Sequence, residues 1–122
     1  DLVDAFKFTA KTLVNTRPGL FAVSGLKYSV RKSDGELLSM SKVDDNGNET
    51  PIDIKNPSPT KTYRVAADSF VMRGGDKVSS LNYVGKEEKV FEFDKDKLLC
   101  DYIKHQNKPI VVNQTGRVNI VD

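Results

Sequence analysis

The sequence predicts an α+β domain with a mixed β-sheet and flanking helices, on three observations. Two stretches, near residues 2–15 and 94–107, repeat apolar residues at three- and four-residue spacing, as amphipathic helices do. Several shorter stretches alternate apolar and polar residues between Gly-, Pro-, Asn- and Asp-rich turns, as half-buried strands do. The two kinds of segment do not follow a regular strand–helix–strand rhythm, which argues against a doubly wound parallel sheet. The 122 residues suit one domain. A chain of this size buries roughly two-thirds of its unfolded surface, enough for a core without disulfide or metal.

The elements follow in order. Val3, Phe6, Ala10, Leu13 and Val14 mark the buried face of a first helix over residues 2–15, with Lys7 and Lys11 on another face. This helix starts almost at residue 1 with no clear cap, as a cut through a larger protein would leave it. Thr16 to Gly19, with Pro18, end it. From Phe21 to Arg31 the chain reads as a strand, in which Leu26, Tyr28 and Val30 alternate with Lys27, Ser29 and Arg31. Ser33-Asp34-Gly35 is a hairpin turn, and Glu36 to Val43 returns as a strand with Leu38 and Met40 on one face. Residues 44–48 form a loop, and Pro51, Pro57 and Pro59 make residues 51–60 an irregular connection. Tyr63 to Ala67 is expected as a short central strand, residues 85–89 as a polar stretch, and Val90 to Phe93 as another strand. Asp94 and Asp96 open a second helix whose buried face is Leu98, Leu99, Tyr102 and Ile103, ending near Asn107 before Pro109. Gly116 to Val121 is a closing strand.

Composition removes several function classes. Nineteen basic and 17 acidic residues leave a net charge of +2 without a dense basic stripe, which argues against nucleic-acid binding by electrostatics. No run of 18 apolar residues is present, so no membrane span is expected. Cys100 is the single cysteine and is expected to be a small helix residue packed on its neighbours. His105 is the single histidine; without a second His or a Cys at ligand spacing it reads as a solvated residue suited to a helix C-terminus. Neither a nucleophile elbow, a phosphate-binding Walker loop nor a zinc-protease motif occurs. Asp44 to Glu49 shares the acidic start of a calcium loop, yet its twelfth position is Lys55 rather than an acid, so it reads as a hairpin loop. Asn48-Glu49-Thr50 and Asn113-Gln114-Thr115 match the glycosylation triplet. Read for catalytic residues and metal ligands, the chain offers neither.

One loop does suggest a ligand: Phe70-Val71-Met72-Arg73-Gly74-Gly75-Asp76. Two adjacent glycines let a backbone turn sharply and approach a ligand closely. Asp76 then presents a carboxylate able to accept two hydroxyl hydrogen bonds, with an aromatic ring six residues earlier. Vicinal hydroxyls and a flat ring describe a nucleoside. The same features also make an ordinary turn beside an ordinary core phenylalanine.

The stretch Tyr63-Arg64-Val65-Ala66-Ala67-Asp68-Ser69-Phe70-Val71-Met72-Arg73-Gly74-Gly75-Asp76 resembles the signature of the 5'-nucleotidase C-terminal domain, approximately Y-x-V-A-x-N-x-F-L-x-x-G-G-D-G-[YF]. Phe21 to Tyr28 resembles that family's F-x-x-V-S-G segment with one residue fewer after the Phe. Pro51-Ile52-Asp53, Asp101-Tyr102-Ile103 and Gly116-Arg117-Val118 resemble its further short motifs in the same order. The chain departs from the pattern at Asp68, where the family carries Asn, at Lys77 for the usual Gly, and at Val78 for the usual aromatic; the shortened segment puts Leu20 at the family's first ring position.

The resemblance implies a single substrate-recognition domain over residues 1–122, separated from the catalytic metallophosphatase domain that holds two divalent metal ions. It implies no cofactor, metal or catalytic residue in these 122 residues and no AMP hydrolysis by them alone. It places a nucleoside or nucleotide in contact with Phe21 and Phe70, which would hold the base, and with Gly74, Gly75 and Asp76, where Asp76 would bind the ribose. The remaining partner is the N-terminal domain of the same protein, and the location is extracytoplasmic: secreted, periplasmic or at a cell wall. Two alternatives are an interaction module that keeps the fold without nucleoside binding, and the corresponding domain of a thiosulfate-oxidising relative.

Overall fold

The computed structural model describes residues 1–14, 19–83, 91–113 and 116–122. The expected turn at 16–19, the polar stretch at 85–89, the start of the strand at Val90 and part of the second glycosylation triplet fall wholly or largely outside these residues.

Helix α1 spans Leu2–Thr12, three residues shorter than its spacing predicts. The Asp1 amino nitrogen donates to Asp4 Oδ2 at 3.0 Å, and the Asp1 carbonyl accepts from Ala5 N at 3.0 Å. This gives the helix the start that the sequence did not reveal. Because the helix ends at Thr12, Val14 lies beyond it and is exposed. The helix buries two faces. Val3, Phe6 and Ala10 pack on the sheet, while Ala5 packs on Val78 and Leu81.

The sheet has the order β3-β2-β1-β4, from β1 (Leu26–Arg31), β2 (Leu37–Val43), β3 (Glu49–Pro51) and β4 (Val118–Val121). The pairs β1·β2 and β2·β3 are antiparallel and β1·β4 is parallel, so the sheet is mixed as predicted. Tyr28 and Val30 of β1 are fully buried and the residues between them are partly exposed, as the alternation requires. In β2 the buried partner of Met40 is Leu37 rather than Leu38. The ladder pairs Ser29 with Ser39 and then Val30 with Leu37, which leaves Leu38 as the extra residue of a bulge. A strict two-residue period cannot anticipate that switch of face.

Two expected strands are not found among the described residues. Residues 63–67 form no strand and have no ladder neighbour among the described residues, and Val65 is exposed. The described part of the next expected strand, Phe91 to Phe93, is also not in the sheet; the Phe93 N–H donates to the Phe91 carbonyl and the two exposed rings stack at 5.9 Å. Conversely, Glu49–Pro51 is a strand where a loop and connection were expected, with Pro51 opposite Ser41 at the sheet edge where a missing N–H is tolerated.

Helix α3 (Lys95–Gln106) has the expected bounds, capped by Asp94, whose Oδ1 accepts from Asp96 N at 2.9 Å, and ending in left-handed Asn107. Its expected buried face is not buried: Leu98, Leu99, Tyr102 and Ile103 are 43–59% exposed. Cys100, on the same helix, is exposed rather than packed, and so is His105.

Candidate functional site

The chain approaches the Gly-Gly turn through a four-residue helix, α2 (Ser69–Met72), that buries none of its residues. Asp68 caps it, Oδ1 accepting from Phe70 N at 2.8 Å. Gly74 follows in the left-handed region at φ 79°, a conformation that glycine adopts freely. Gly75 is required for a different reason. A Cβ there would lie 2.5 Å from Cδ1 and Cε1 of Phe70 and equally close to the Phe70 carbonyl oxygen. The Phe70 ring therefore lies directly against the Gly75 backbone, while 59% of the residue remains exposed.

Asp76 and Lys77 continue the turn at φ 53° and 64°. Lys77 costs roughly 1–2 kcal/mol in this region and Asp76 less, since aspartate visits it more readily; such strain concentrates at functional sites. Lys77 stands where the resembled pattern carries glycine, the residue that adopts this backbone at least cost. The Asp76 side chain is exposed and has no hydrogen bond or ion pair among the described residues.

The turn is anchored on its far side. Val78 and Leu81 are buried against Ala5 of α1, and the Tyr83 hydroxyl donates to Asp1 Oδ2 at 2.9 Å. The Tyr83 N–H also donates to the Met72 carbonyl, closing residues 72–83 into a loop.

Phe21 reaches this region from the other side of α1. It packs partly buried against both hydrophobic clusters, including the one that contains Val78 and is joined by Val71. Its ring meets Phe6 edge-on at 5.3 Å, Phe6 meets Tyr28 at 4.9 Å, and the Tyr28 hydroxyl donates to the Phe21 carbonyl at 2.8 Å. Burial without a compensating charge pushes the Tyr28 phenol up to about 12. Among the described residues the ring partner of Phe21 is Phe6, and no ring pair joins it to Phe70. Leu20 packs on the core of α1 and the sheet.

The structure thus brings Phe70, Gly74, Gly75 and Asp76 into one turn and sets Phe21 on the cluster beneath it. Sequence reasoning missed Asp1, Asp68 and Tyr83 as supports of this turn, and Tyr28 as the hydroxyl bound to Phe21. Asp68 had a local signal, as an N-cap residue two positions before Phe70; the Asp1–Tyr83 contact is long-range.

Two open clefts lie away from these residues, one of about 310 Å³ lined by Ser24, Asp45 and Arg117 and one of about 330 Å³ beside Tyr102 and Lys108. In the acidic loop, Asp44 accepts from Asn46 N, Asn48 N and Asn48 Nδ2, and these bonds hold its carboxyl below the usual range; its oxygens serve the turn itself. No cluster of three or more His, Cys, Asp or Glu residues among the described residues could hold a metal ion. No helix among them is long and apolar enough to cross a membrane.

No family model matches the chain. An apyrase from Tabanus yao is 32% identical over 104 residues, covering 84% of this chain and 18% of the apyrase. A 5'-nucleotidase precursor from Thermus thermophilus, known from its crystal structure, superposes with a TM-score of 0.76 at 22% identity, over 98% of this chain and 24% of that one. The chain therefore spans under a quarter of the length of either relative.

Proposed function

We propose, from the premise that this chain is a domain of the 5'-nucleotidase family, that it is the C-terminal, nucleoside-recognising domain of an extracytoplasmic nucleotide phosphohydrolase. One observation carries the reading. An exposed phenyl ring lies against a glycine that has no room for a side chain, and the next residue along the left-handed turn presents a carboxylate without a partner among the described residues.

Each part has a chemical use. The exposed face of Phe70 offers base stacking, worth about 1–3 kcal/mol per base and tolerant of base identity. Phe21, on the neighbouring cluster, is the second ring of the proposal. Asp76 accepts hydrogen bonds from two ribose hydroxyls. A deoxyribose would leave part of that acceptor unpaired, so the site favours ribose. Gly74 and Gly75 bring the backbone close enough for ring and carboxylate to meet one ligand. These groups bind and orient; they perform no bond cleavage.

The described residues do not fit a metal centre, and no metal-dependent step is assigned to them. In this proposal two divalent ions belong to a preceding metallophosphatase domain, and the 122 residues alone do not hydrolyse AMP. The test is titration of adenosine into the full-length protein and its Phe70→Ala and Asp76→Ala variants. Each substitution is expected to weaken binding by about tenfold, the loss of one stacking contact or one charge-assisted pair. Unchanged affinity in both variants removes the nucleoside reading.

A second reading, an interaction module that keeps the fold without binding nucleosides, is favoured by Phe21. Its ring is engaged by Phe6 and partly buried, as a core residue would be. The same titration separates the two readings.

A further inference from the structure

We propose that Asp68 is the positioning residue for Phe70, clamping the ring-bearing turn to the first turn of α3 through Lys95. This rests on the reading of Phe70 as the base-stacking ring.

The Asp68 carboxylate is held at both oxygens. Oδ1 accepts from the Phe70 N–H at 2.8 Å and Oδ2 accepts from Lys95 Nζ at 3.0 Å. Helix α2 buries no residue fully: Val71 rests partly buried on the Val78 cluster, while the Phe70 ring is not packed in it. Its ring rests on Gly75 on one side and is otherwise largely exposed. A ring in that setting keeps its orientation only if its own backbone is fixed, and Asp68 binds that backbone at the Phe70 amide. The hydrogen bond from Phe70 and the Lys95 ammonium hold the Asp68 carboxyl below its usual range, so both bonds are made by the ionised group at neutral pH.

The residue type matters. The asparagine of the resembled pattern could accept from the Phe70 amide, but its NH₂ group could not accept from a lysine ammonium. The lysine arm therefore belongs to this chain's aspartate. The two arms also differ in their response to salt. Lys95 is 76% and Asp68 37% exposed at the side chain, so their ion pair is screened, whereas the cap hydrogen bond is local to the backbone.

Adenosine titrations of the full-length protein at about 20 mM and about 500 mM salt test this with Asp68→Ala, Asp68→Asn and Lys95→Met. Phe70→Ala serves as the control for the stacking reading. A fluorine-labelled phenylalanine at position 70 reports the ring by ¹⁹F NMR independently of binding. Asp68→Ala is expected to weaken binding about tenfold at low salt, where it loses both arms, and about fivefold at high salt, the size of the lost cap alone. Asp68→Asn and Lys95→Met are expected to weaken it about twofold at low salt only, as for a surface ion pair. The ring resonance should shift in Asp68→Ala at both salt levels, and shift less in Asp68→Asn, at low salt only.

If Phe70→Ala abolishes binding while Asp68→Ala binds as the wild type does, the proposal is overturned and the stacking reading stands. If Phe70→Ala binds normally, the stacking reading fails and the resonance alone decides the clamp: unmoved in Asp68→Ala, the clamp is overturned. Should Asp68→Ala not fold, Asp68→Asn and Lys95→Met decide: a matching, salt-sensitive weakening supports the clamp, and its absence overturns it.

Discussion

The two helices that the sequence marks most clearly have opposite fates. Helix α1 buries Val3, Ala5, Phe6, Thr9 and Ala10, between a sheet on one face and the 78–81 segment on the other. Helix α3 repeats apolar residues at the same three- and four-residue spacing on a more polar background, is capped by Asp94, and buries none of its residues among the described part of the chain. The contrast shows that amphipathic periodicity reports a face able to be covered, whereas burial depends on what the rest of the chain brings to that face. The candidate site lies at the junction. Its turn is anchored to α1 through Val78, Leu81 and Tyr83 and tied to α3 through the Asp68–Lys95 pair.

The sharpest way to test this contrast is truncation on either side. Phe6→Ala removes the ring that touches both Phe21 and Tyr28 edge-on. It is expected to cost about 3–5 kcal/mol in chemical denaturation, the range for a buried aromatic. Because Phe21 loses its ring partner, adenosine affinity is expected to fall with it.

A smaller effect follows from Tyr28. Its phenol is raised from 10.0 to about 12, so the folded state holds the proton more tightly than the unfolded chain. The stabilisation is complete below pH 10, declines as pH rises from 10 towards 12, and amounts to roughly 3 kcal/mol over those two units at 1.36 kcal/mol each. Urea melts at pH 8 to 11.5 should show this decline, and Tyr28→Phe should reduce it. A wild-type protein with the same slope as Tyr28→Phe would contradict the burial of that hydroxyl.

The smallest effect is expected on α3. Leu99 is 59% exposed, and Leu99→Ala should change the stability of this chain by no more than about 0.5 kcal/mol. A loss of 2 kcal/mol or more would show that the α3 face is covered in solution and would erase the contrast with α1.

Much of this was legible in local patterns. Residue spacing located α1, the β1–β2 hairpin, α3 and β4 within a few residues, and the order of short motifs pointed to the family. The glycine pair marked the turn, and the structure supplies separate reasons for its two members: left-handed backbone at Gly74 and an overlying ring at Gly75. The apolar character of Tyr63–Ala67 misled, because a strand needs a neighbour that the segment cannot specify. The choice of Leu38 over Leu37 failed because a bulge inverts the side-chain period without changing composition.

The sequence by itself determined where the helices and turns form, which residues are apolar, and that a ring and a carboxylate stand six positions apart across two glycines. These are consequences of backbone preference and side-chain periodicity, which act over a few residues. Only the tertiary structure decided that Phe21 packs on Phe6, that Asp1 holds Tyr83 across 82 positions, and that α1 rather than α3 is buried. Such contacts join residues far apart along the chain, and their free energy depends on the surfaces that meet, a quantity that no local segment contains.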